Sequence, residues 1–209
     1  SYILKIPVMR KLLLGLLAVT AVVLAGCDET KKLAGEVAGT WTSNPTAFMA
    51  DDGSTATAIE NIVFERDSTS KGGMVIITSL ISSTGSFSGS ATIMSPFSIS
   101  AAAKSYISGH WTAVDDDELL LALDPATMTV EVDPDAVVIT SDPGFSPGTI
   151  PTDSIRPQIA GAMKATLTHT LLQHYLSYQK LADVKVQGTT LQFEVKDEKH
   201  ILNRQGPSK

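Results

Sequence analysis

The alternation of apolar and polar residues along the chain constrains its fold more than any other feature. Between residues 86 and 93, small or apolar side chains alternate with serine and threonine. The apolar phase consists of Phe87, Gly89, Ala91 and Ile93. A period of two puts every second side chain on the same face of a strand, so this stretch predicts a sheet with one buried face. Strand-sized apolar runs at 62–64 and 74–80, each bounded by turn residues, extend the prediction along the chain.

Asp-Pro dipeptides divide the middle of the chain. They recur every nine residues, at Asp124-Pro125, Asp133-Pro134 and Asp142-Pro143. Proline withholds a ladder donor and presets a turn, and aspartate caps turns with its carboxylate. The spacing therefore predicts a meander of short strands that begins at Leu119. One or two longer strands with kinks are the alternative.

One segment has the period of an amphipathic helix. It begins near Ser154, a good N-cap, tolerates Pro157 in its first turn and ends near Lys180, so the helix is predicted over about 155–180. Its apolar positions are Ala160, Met163, Leu167, Leu171, Leu172, Tyr175 and Tyr178. Together the patterns predict an all-β fold, an antiparallel barrel or β-sandwich of roughly 8–10 strands, with one amphipathic helix near the C-terminus.

A basic and then apolar leader ends in the only cysteine of the chain. Met9, Arg10 and Lys11 form a short positive region, and an uncharged apolar run follows at residues 12–24. This layout is typical of a secretory signal. The run is shorter than the roughly 20 residues that a membrane-spanning helix needs, so no permanent transmembrane anchor is expected there. In this interpretation Met9 is the initiator, and residues 1–8 are an upstream extension.

The end of the leader, Leu24-Ala25-Gly26-Cys27, resembles the lipobox of bacterial lipoproteins. The resemblance implies that the Cys27 thiol receives a diacylglycerol and that the leader is cut before Cys27. It also implies a lipid anchor in the cell envelope. The expected place is the periplasmic or surface face of the outer membrane, and retention at the inner membrane is the alternative. The predicted organisation is a leader at 1–26 with the signal peptide at 9–26, a lipidated tether at 27–35 and one β-domain at 36–209. An unmodified, buried Cys27 is the alternative.

Charge and cysteine content exclude several function classes. The formal net charge is −6, and it becomes −9 when the three basic residues Lys5, Arg10 and Lys11 leave with the leader. An acidic chain without a basic stripe is a poor nucleic-acid binder, so no nucleic acid is expected as a partner. With Cys27 modified, no thiol remains for a disulfide, a cysteine-ligated zinc ion or a cysteine nucleophile.

Both tryptophans stand in the same short frame. Gly39-Thr40-Trp41-Thr42 and Gly109-His110-Trp111-Thr112 each read G-x-W-T. A G-x-W on the first strand resembles the lipocalin (calycin) signature, in which a late arginine stacks over the tryptophan. Arg204 would match that arginine as a cation–π partner. The order of features also resembles the lipocalin-like lipoproteins of Gram-negative gut bacteria. The chain departs from lipocalins because its helix precedes the last hairpin and because it has no disulfide. Two plain core anchors of another β-fold are the alternative.

No catalytic or metal-binding motif stands out. His169 and His174 lie five apart on the predicted helix, whereas metal pairs are spaced by three or four, so both are interpreted as surface or core-edge residues. The acidic run at 115–118 is interpreted as a solvated turn, with a calcium patch as the alternative. The protein is not expected to be an enzyme or to hold a metal or cofactor. Asp67-Ser68-Thr69 and Asp153-Ser154-Ile155 resemble sites that some gut bacteria O-glycosylate.

These features predict a protein that binds a small apolar ligand inside its β-structure, because apolar cavities at barrel mouths are common ligand sites. Small strand residues are expected to leave interior room; they include Gly89, Ala91, Ala101 and Ala103. The alternative is a structural or interaction protein of the envelope with a filled core and a protein partner. A cavity above about 300 Å³ would favour the ligand-binding prediction, and a filled barrel would favour the alternative.

Overall fold

The computed structural model describes residues 29–49, 55–68, 70–87, 97–141 and 152–206. Within these ranges, helix α1 covers residues 29–37 and helix α2 covers Thr152–Leu176. The strands are β1 (Gly39–Ser43), β2 (Thr46–Met49), β3 (Thr55–Phe64), β4 (Gly72–Phe87), β5 (Phe97–Ala113), β6 (Leu119–Val132), β7 (Val138–Ser141), β8 (Lys180–Gln187), β9 (Thr190–Val195) and β10 (Glu198–Arg204). Short 3₁₀ turns at Pro134–Ala136 and Ser177–Gln179 follow β6 and α2.

The strands form one antiparallel sheet that closes on itself. Neighbours follow the order β1, β10, β9, β8, β6, β5, β4, β3, and β1 also pairs with β3, which completes the ring. β2 continues the line of β1 along β3, and β7 continues the line of β6 along β5. If β1 with β2, and β6 with β7, are each counted as one line of the sheet, the described strands make eight lines. Each line pairs with the one that follows it in the sequence. The prediction of an all-β, barrel-like fold with a late helix is confirmed, and the closed ring excludes a sandwich of two separate sheets.

The predicted meander of short strands after Leu119 is wrong, and the longer, kinked strand is what forms. β6 runs through Asp124-Pro125 without reversing, and its register against β5 shifts there. The Asp124 carboxylate accepts the Ala126 N–H at 2.9 Å, and Thr127 Oγ1 accepts the Ser108 N–H at 2.9 Å. These bonds satisfy the backbone around a bulge, so the proline needs no chain reversal.

The second Asp-Pro dipeptide has a similar effect. The Asp133 carboxylate accepts the Asp135 N–H at 2.9 Å and caps the 3₁₀ turn. β7 then continues beside β5, so this dipeptide kinks the line without turning it back. Asp142-Pro143 lies outside the described residues.

Alternation along the strands determines which side chains form the core. In β5 the odd-numbered residues from Ile99 to Ile107 are buried and the even-numbered ones from Ser98 to Tyr106 are exposed. This is the pattern that a strand with one inward face requires. The largest fully buried side chains are Trp41, Phe64, Trp111, Tyr175, Tyr178 and Phe193. Removal of this apolar surface from water, at about 25 cal/mol per Å², is the main force that holds the ring together.

Helix α2 occupies the room that small strand residues leave. Its buried side chains follow the predicted apolar stripe and comprise Ala160, Leu167, Leu171 and Tyr175. Ala160 packs in a cluster with Ile99 and Ala101 of β5, and Ala103 belongs to the main core with Leu167 and Leu171. Ala101 and Ala103 therefore allow close approach of the helix. Gly89 and Ala91 lie outside the described residues.

Within the described residues, positions 29–35 of the expected tether belong to helix α1, which covers residues 29–37. Leu33, Ala34 and Val37 are at most 4% exposed and belong to the main core. The Arg66 guanidinium donates to the carbonyl of Lys31 at 3.2 Å, which ties the helix to the β3–β4 turn. The apolar face of α1 is buried because it packs on an apolar surface at the end of the ring. In a free tether the same face would be exposed to water.

Gly109 is expected to tolerate no side chain. A Cβ there would lie 2.2 Å from the carbonyl oxygen of Ala122 and 2.6 Å from the Cα of Leu123, so the β6 backbone would have to move. We expect Gly109→Ala to lower the free energy of unfolding by about 1–3 kcal/mol in urea titrations. Gly161→Ala is the matched control, because its Cβ meets nothing within 4 Å. In the interior of α2 this change should stabilise by about 0.5–1 kcal/mol. Equal effects of the two changes would contradict the close packing of β5 on β6.

Candidate functional site

The structure brings Arg204 and the first G-x-W frame together. The Arg204 guanidinium carbon lies 4.1 Å from the ring centroid of Trp41, within cation–π range. Its Nη1 and Nη2 donate to the carbonyls of Ala38 at 3.0 Å and Glu36 at 2.6 Å. Gly39 has a φ of +134°, and a Cβ there would lie 2.7 Å from Arg204 Nη1. Glycine is therefore what lets the arginine hold the end of α1.

The indoles of both frames hold backbone carbonyls. Trp41 Nε1 donates to the Val37 carbonyl at 2.7 Å, and Trp111 Nε1 donates to the Glu65 carbonyl at 2.9 Å. The ring of Phe64 meets Trp111 edge-on, with centroids 5.3 Å apart. Both tryptophans belong to the main core. The two frames thus anchor the end of the ring that carries α1.

Other residues from the sequence analysis are separate from these frames. Leu24, Ala25, Gly26 and Cys27 lie outside the described residues, as does Thr69. The acidic run at 115–118 forms a mostly exposed turn, in which Glu118 pairs with Lys180 at 2.6 Å. His169 is exposed. Across the part of the chain that the structure describes, no three His, Cys, Asp or Glu side chains are placed to hold a metal ion.

Three polar side chains that sequence reasoning missed line up inside the ring. Glu60 of β3 is paired in register with Ser79 of β4, which is paired with Ser105 of β5. Both serines are buried. We call these three residues the polar layer. The Tyr175 hydroxyl hydrogen-bonds with Ser79 Oγ and, at 3.1 Å, with Ser105 Oγ. Because buried polar groups need partners, the layer holds the C-terminal end of α2 at this level of the ring.

Glu60 is the most connected member of the polar layer. Its side chain is 12% exposed. Its Oε1 lies 3.0 Å from His174 Nε2, and its Oε2 accepts the Tyr178 hydroxyl at 3.0 Å. His174 is in the last turn of α2 and Tyr178 is in the 3₁₀ turn that follows. The carboxylate thus joins β3 to the helix.

Aromatic rings surround this contact. His200 of β10 stacks on Phe193 of β9, with centroids 5.1 Å apart and an interplanar angle of 10°. Tyr178 meets His200 edge-on at 5.6 Å and His174 at 4.9 Å. Two histidines far apart in the sequence therefore flank one tyrosine, which is bonded to one carboxylate.

A cavity of about 420 Å³ opens beside this group, and we call it the β3–β10 cavity. β10 pairs with β1 only at Leu202–Arg204, and β2 pairs with β3. The ring therefore has a gap between β3 and the beginning of β10. Apolar parts of the wall come from Ala58, Leu171 and Leu202, and polar parts include Glu60, His174, Tyr178 and His200. Its volume exceeds the value of about 300 Å³ that favours ligand binding.

Burial shifts the protonation equilibria of three aromatic side chains. Burial raises the pKa of Tyr175 to about 12, with a further contribution from the Glu60 carboxylate. Burial and then Glu60 raise the pKa of Tyr178 still further, so its hydroxyl stays a donor. Burial lowers the pKa of His200, which favours the neutral imidazole.

Two sequence signals for this site were present. Glu60 belongs to the alternate residues of β3 that face inward, together with Ala58 and Ile62, so it is a charged residue in an otherwise apolar series. His174 and Tyr178 are spaced by four, which places them on one helical face. His174 was expected at the surface or core edge, and its side chain is 41% exposed while it contacts Glu60. Neither signal identifies the residues that Glu60, His174 and Tyr178 contact, because those residues lie on different helices and strands.

No protein-family model matches the chain, and none of the curated proteins matches its sequence. Among the described helices, none has the length and apolar character needed to cross a membrane.

Proposed function

We propose that this chain is a lipid-anchored protein of the bacterial cell envelope that binds a small, largely apolar molecule in a lipocalin-like β-domain. The observation that carries the proposal is the β3–β10 cavity, whose volume of about 420 Å³ lies within the range of small-molecule sites. An apolar wall with a few polar groups is the usual composition of such sites. The polar groups would orient the ligand, and the wall would contribute most of the buried area.

Three features support the lipocalin-like part of the proposal. The ring is closed, and its lines are paired in chain order. Trp41 stands in a G-x-W frame on β1, and Arg204 lies over its ring. Because α2 enters the ring, the ligand would lie at the open end and not at the centre.

The anchor is proposed from the lipobox, and the fold is compatible with it. Cys27 precedes the described part of α1 by two residues, and α1 packs on the end of the ring near Gly39. The cavity opens further along β1 and β10, toward Ser43 and Glu198. A lipid on Cys27 would therefore leave the cavity facing away from the anchored end. Cys27→Ser should lose membrane fractionation, and a variant that still sediments with membranes would contradict the anchor.

Native mass spectrometry of the chain from Asp28, after exposure to a lysate of its host, tests ligand binding. This chain contains every helix and strand that the structure describes. We expect a reproducible small-molecule adduct that disappears in Thr170→Trp, because Thr170 lines the cavity. Ala165→Trp, at an exposed position of α2, is the control and should retain the adduct. An adduct that survives Thr170→Trp would place binding elsewhere.

An interaction protein of the envelope is the second candidate. The ring interior is packed by the core and by α2. Met74, Leu80 and Tyr106 lie on the outward face of β4 and β5, and each is more than a third exposed. Exposed apolar side chains are typical of protein contacts where they form one contiguous patch. A bare mass in repeated preparations would favour this candidate, and Leu80→Lys should then weaken co-purification of the partner.

A further inference from the structure

Glu60 is a nearly buried carboxylate without a permanent cation beside it. Among the ion pairs of the described residues, its partner is His174, which carries a charge only when it is protonated. Buried carboxylates are normally compensated by a cation, because the loss of water around a charge is costly. The wall of the β3–β10 cavity thus contains a negative charge that the protein itself does not permanently neutralise.

The Glu60 carboxylate also has unused acceptor capacity. One bond from Tyr178 occupies Oε2 and one contact from His174 occupies Oε1. An ionised carboxylate offers about four lone-pair sites, so each oxygen can accept another hydrogen bond. A group with several N–H donors and a positive charge would satisfy both needs, and such charge-assisted bonds are the strong ones.

The other charged groups of the wall do not remove this preference. Glu198 and Lys199 are adjacent on β10, both are exposed, and their charges are opposite. His200 is largely neutral, since burial lowers its pKa. Glu60 is therefore the one strongly desolvated charge among these lining residues, and an anionic ligand group would be repelled by it.

We propose that the β3–β10 cavity takes an alkylammonium ligand, a protonated amine on an apolar body. The ammonium would bond to the Glu60 carboxylate, and the body would pack on Ala58, Leu171 and Leu202. This inference rests on the proposed function and adds the chemical class of the ligand to it.

Three eight-carbon probes that differ in their head group test the chemical class of the ligand. Octylamine is protonated at neutral pH, 1-octanol is neutral and octanoate is anionic. Isothermal titration calorimetry with the chain from Asp28 should show octylamine binding at least about tenfold more tightly than the other two, since hydrogen bonds to charged groups are the stronger ones. Equal or tighter binding of 1-octanol or octanoate would overturn the class while leaving the cavity as a binding site.

A charge-removing variant tests the residue. Glu60→Gln keeps the shape of the side chain and should weaken octylamine binding about tenfold or more, with 1-octanol affinity unchanged. Glu131→Gln, an exposed position on β6, removes the same charge away from the cavity and should change neither affinity. Unchanged octylamine affinity in Glu60→Gln would overturn the assignment. If Glu60→Gln does not fold, the comparison of probes on the unmodified chain still decides the class.

Failure of the broader proposal has a different signature. If none of the three probes binds while the lysate adduct still disappears in Thr170→Trp, the ligand class falls and the cavity remains a binding site. If Thr170→Trp leaves both the lysate adduct and octylamine binding intact, the β3–β10 cavity is not the binding site, and the proposed function falls together with the ligand class. Tight octanoate binding that Thr170→Trp abolishes would remove only the class.

Discussion

Trp111→Ala is expected to lower the free energy of unfolding by about 3–5 kcal/mol, the range for truncating a buried aromatic side chain. The side chain is 1% exposed and packs edge-on against Phe64. The change would open a cavity at the α1 end of the ring and remove the donor that holds the Glu65 carbonyl. Urea unfolding followed by circular dichroism, with the chain from Asp28, measures the effect.

Two variants separate packing from simple loss of an aromatic ring. Trp111→Phe keeps most of the apolar area but loses the N–H donor, so a smaller loss of about 1–2 kcal/mol is expected. Tyr106→Ala removes a ring from the outward face of the same strand and should change stability by less than about 0.5 kcal/mol. If Trp111→Ala were no more harmful than Tyr106→Ala, the indole could not be a core anchor.

The second large effect is loss of stability at alkaline pH. The pKa of Tyr175 is raised to about 12 in the folded state, against 10.0 for an unperturbed tyrosine. Its contribution is therefore fully present below about pH 10 and is lost as the pH rises toward 12, because the unfolded chain releases its proton first. At about 1.4 kcal/mol per pKa unit, Tyr175 alone accounts for about 3 kcal/mol. Tyr178 adds to this in the same direction.

Urea titrations at several pH values, together with phenolate absorbance, measure this dependence. In the chain from Asp28, Tyr175 and Tyr178 should ionise only as the protein unfolds, because both side chains are buried. Tyr175→Phe should reduce the alkaline loss, and Tyr106→Phe should leave it unchanged. Ionisation of Tyr175 and Tyr178 near pH 10 without loss of structure would show that these two tyrosines are not buried.

The polar contacts of α2 show why some of the site could be predicted and some could not. The apolar stripe that includes Leu171, Tyr175 and Tyr178 is a local pattern, and the structure buries all three. The hydroxyl partners of Tyr175 are Ser79 of β4 and Ser105 of β5, which are 96 and 70 residues away from it in the sequence. No local period can select such partners, because the choice depends on strand register.

The Asp-Pro segments and α1 show the same limit. Asp124-Pro125 favours a turn locally, but Thr127 and Ser108 satisfy the backbone across strands, so a bulge forms within one long strand. The sequence predicts a tether at 27–35, although Leu33 and Val37 already have helical spacing. Whether that face is buried depends on a surface that exists only after the ring closes. The anchor on Cys27 and the ligand remain predictions.

Local patterns were enough to predict the β-rich class, the position of α2 and its buried stripe, because periods of two and of about 3.6 residues reflect local geometry. Three features depend on the folded chain as a whole: the closure of β1 on β3, the docking of α1 and the contacts of Glu60 with His174 and Tyr178. Those last contacts join residues 114 and 118 positions apart. They form because strand pairing fixes which inward-facing side chains share a level of the ring, and that pairing is chosen by the energy of the whole core.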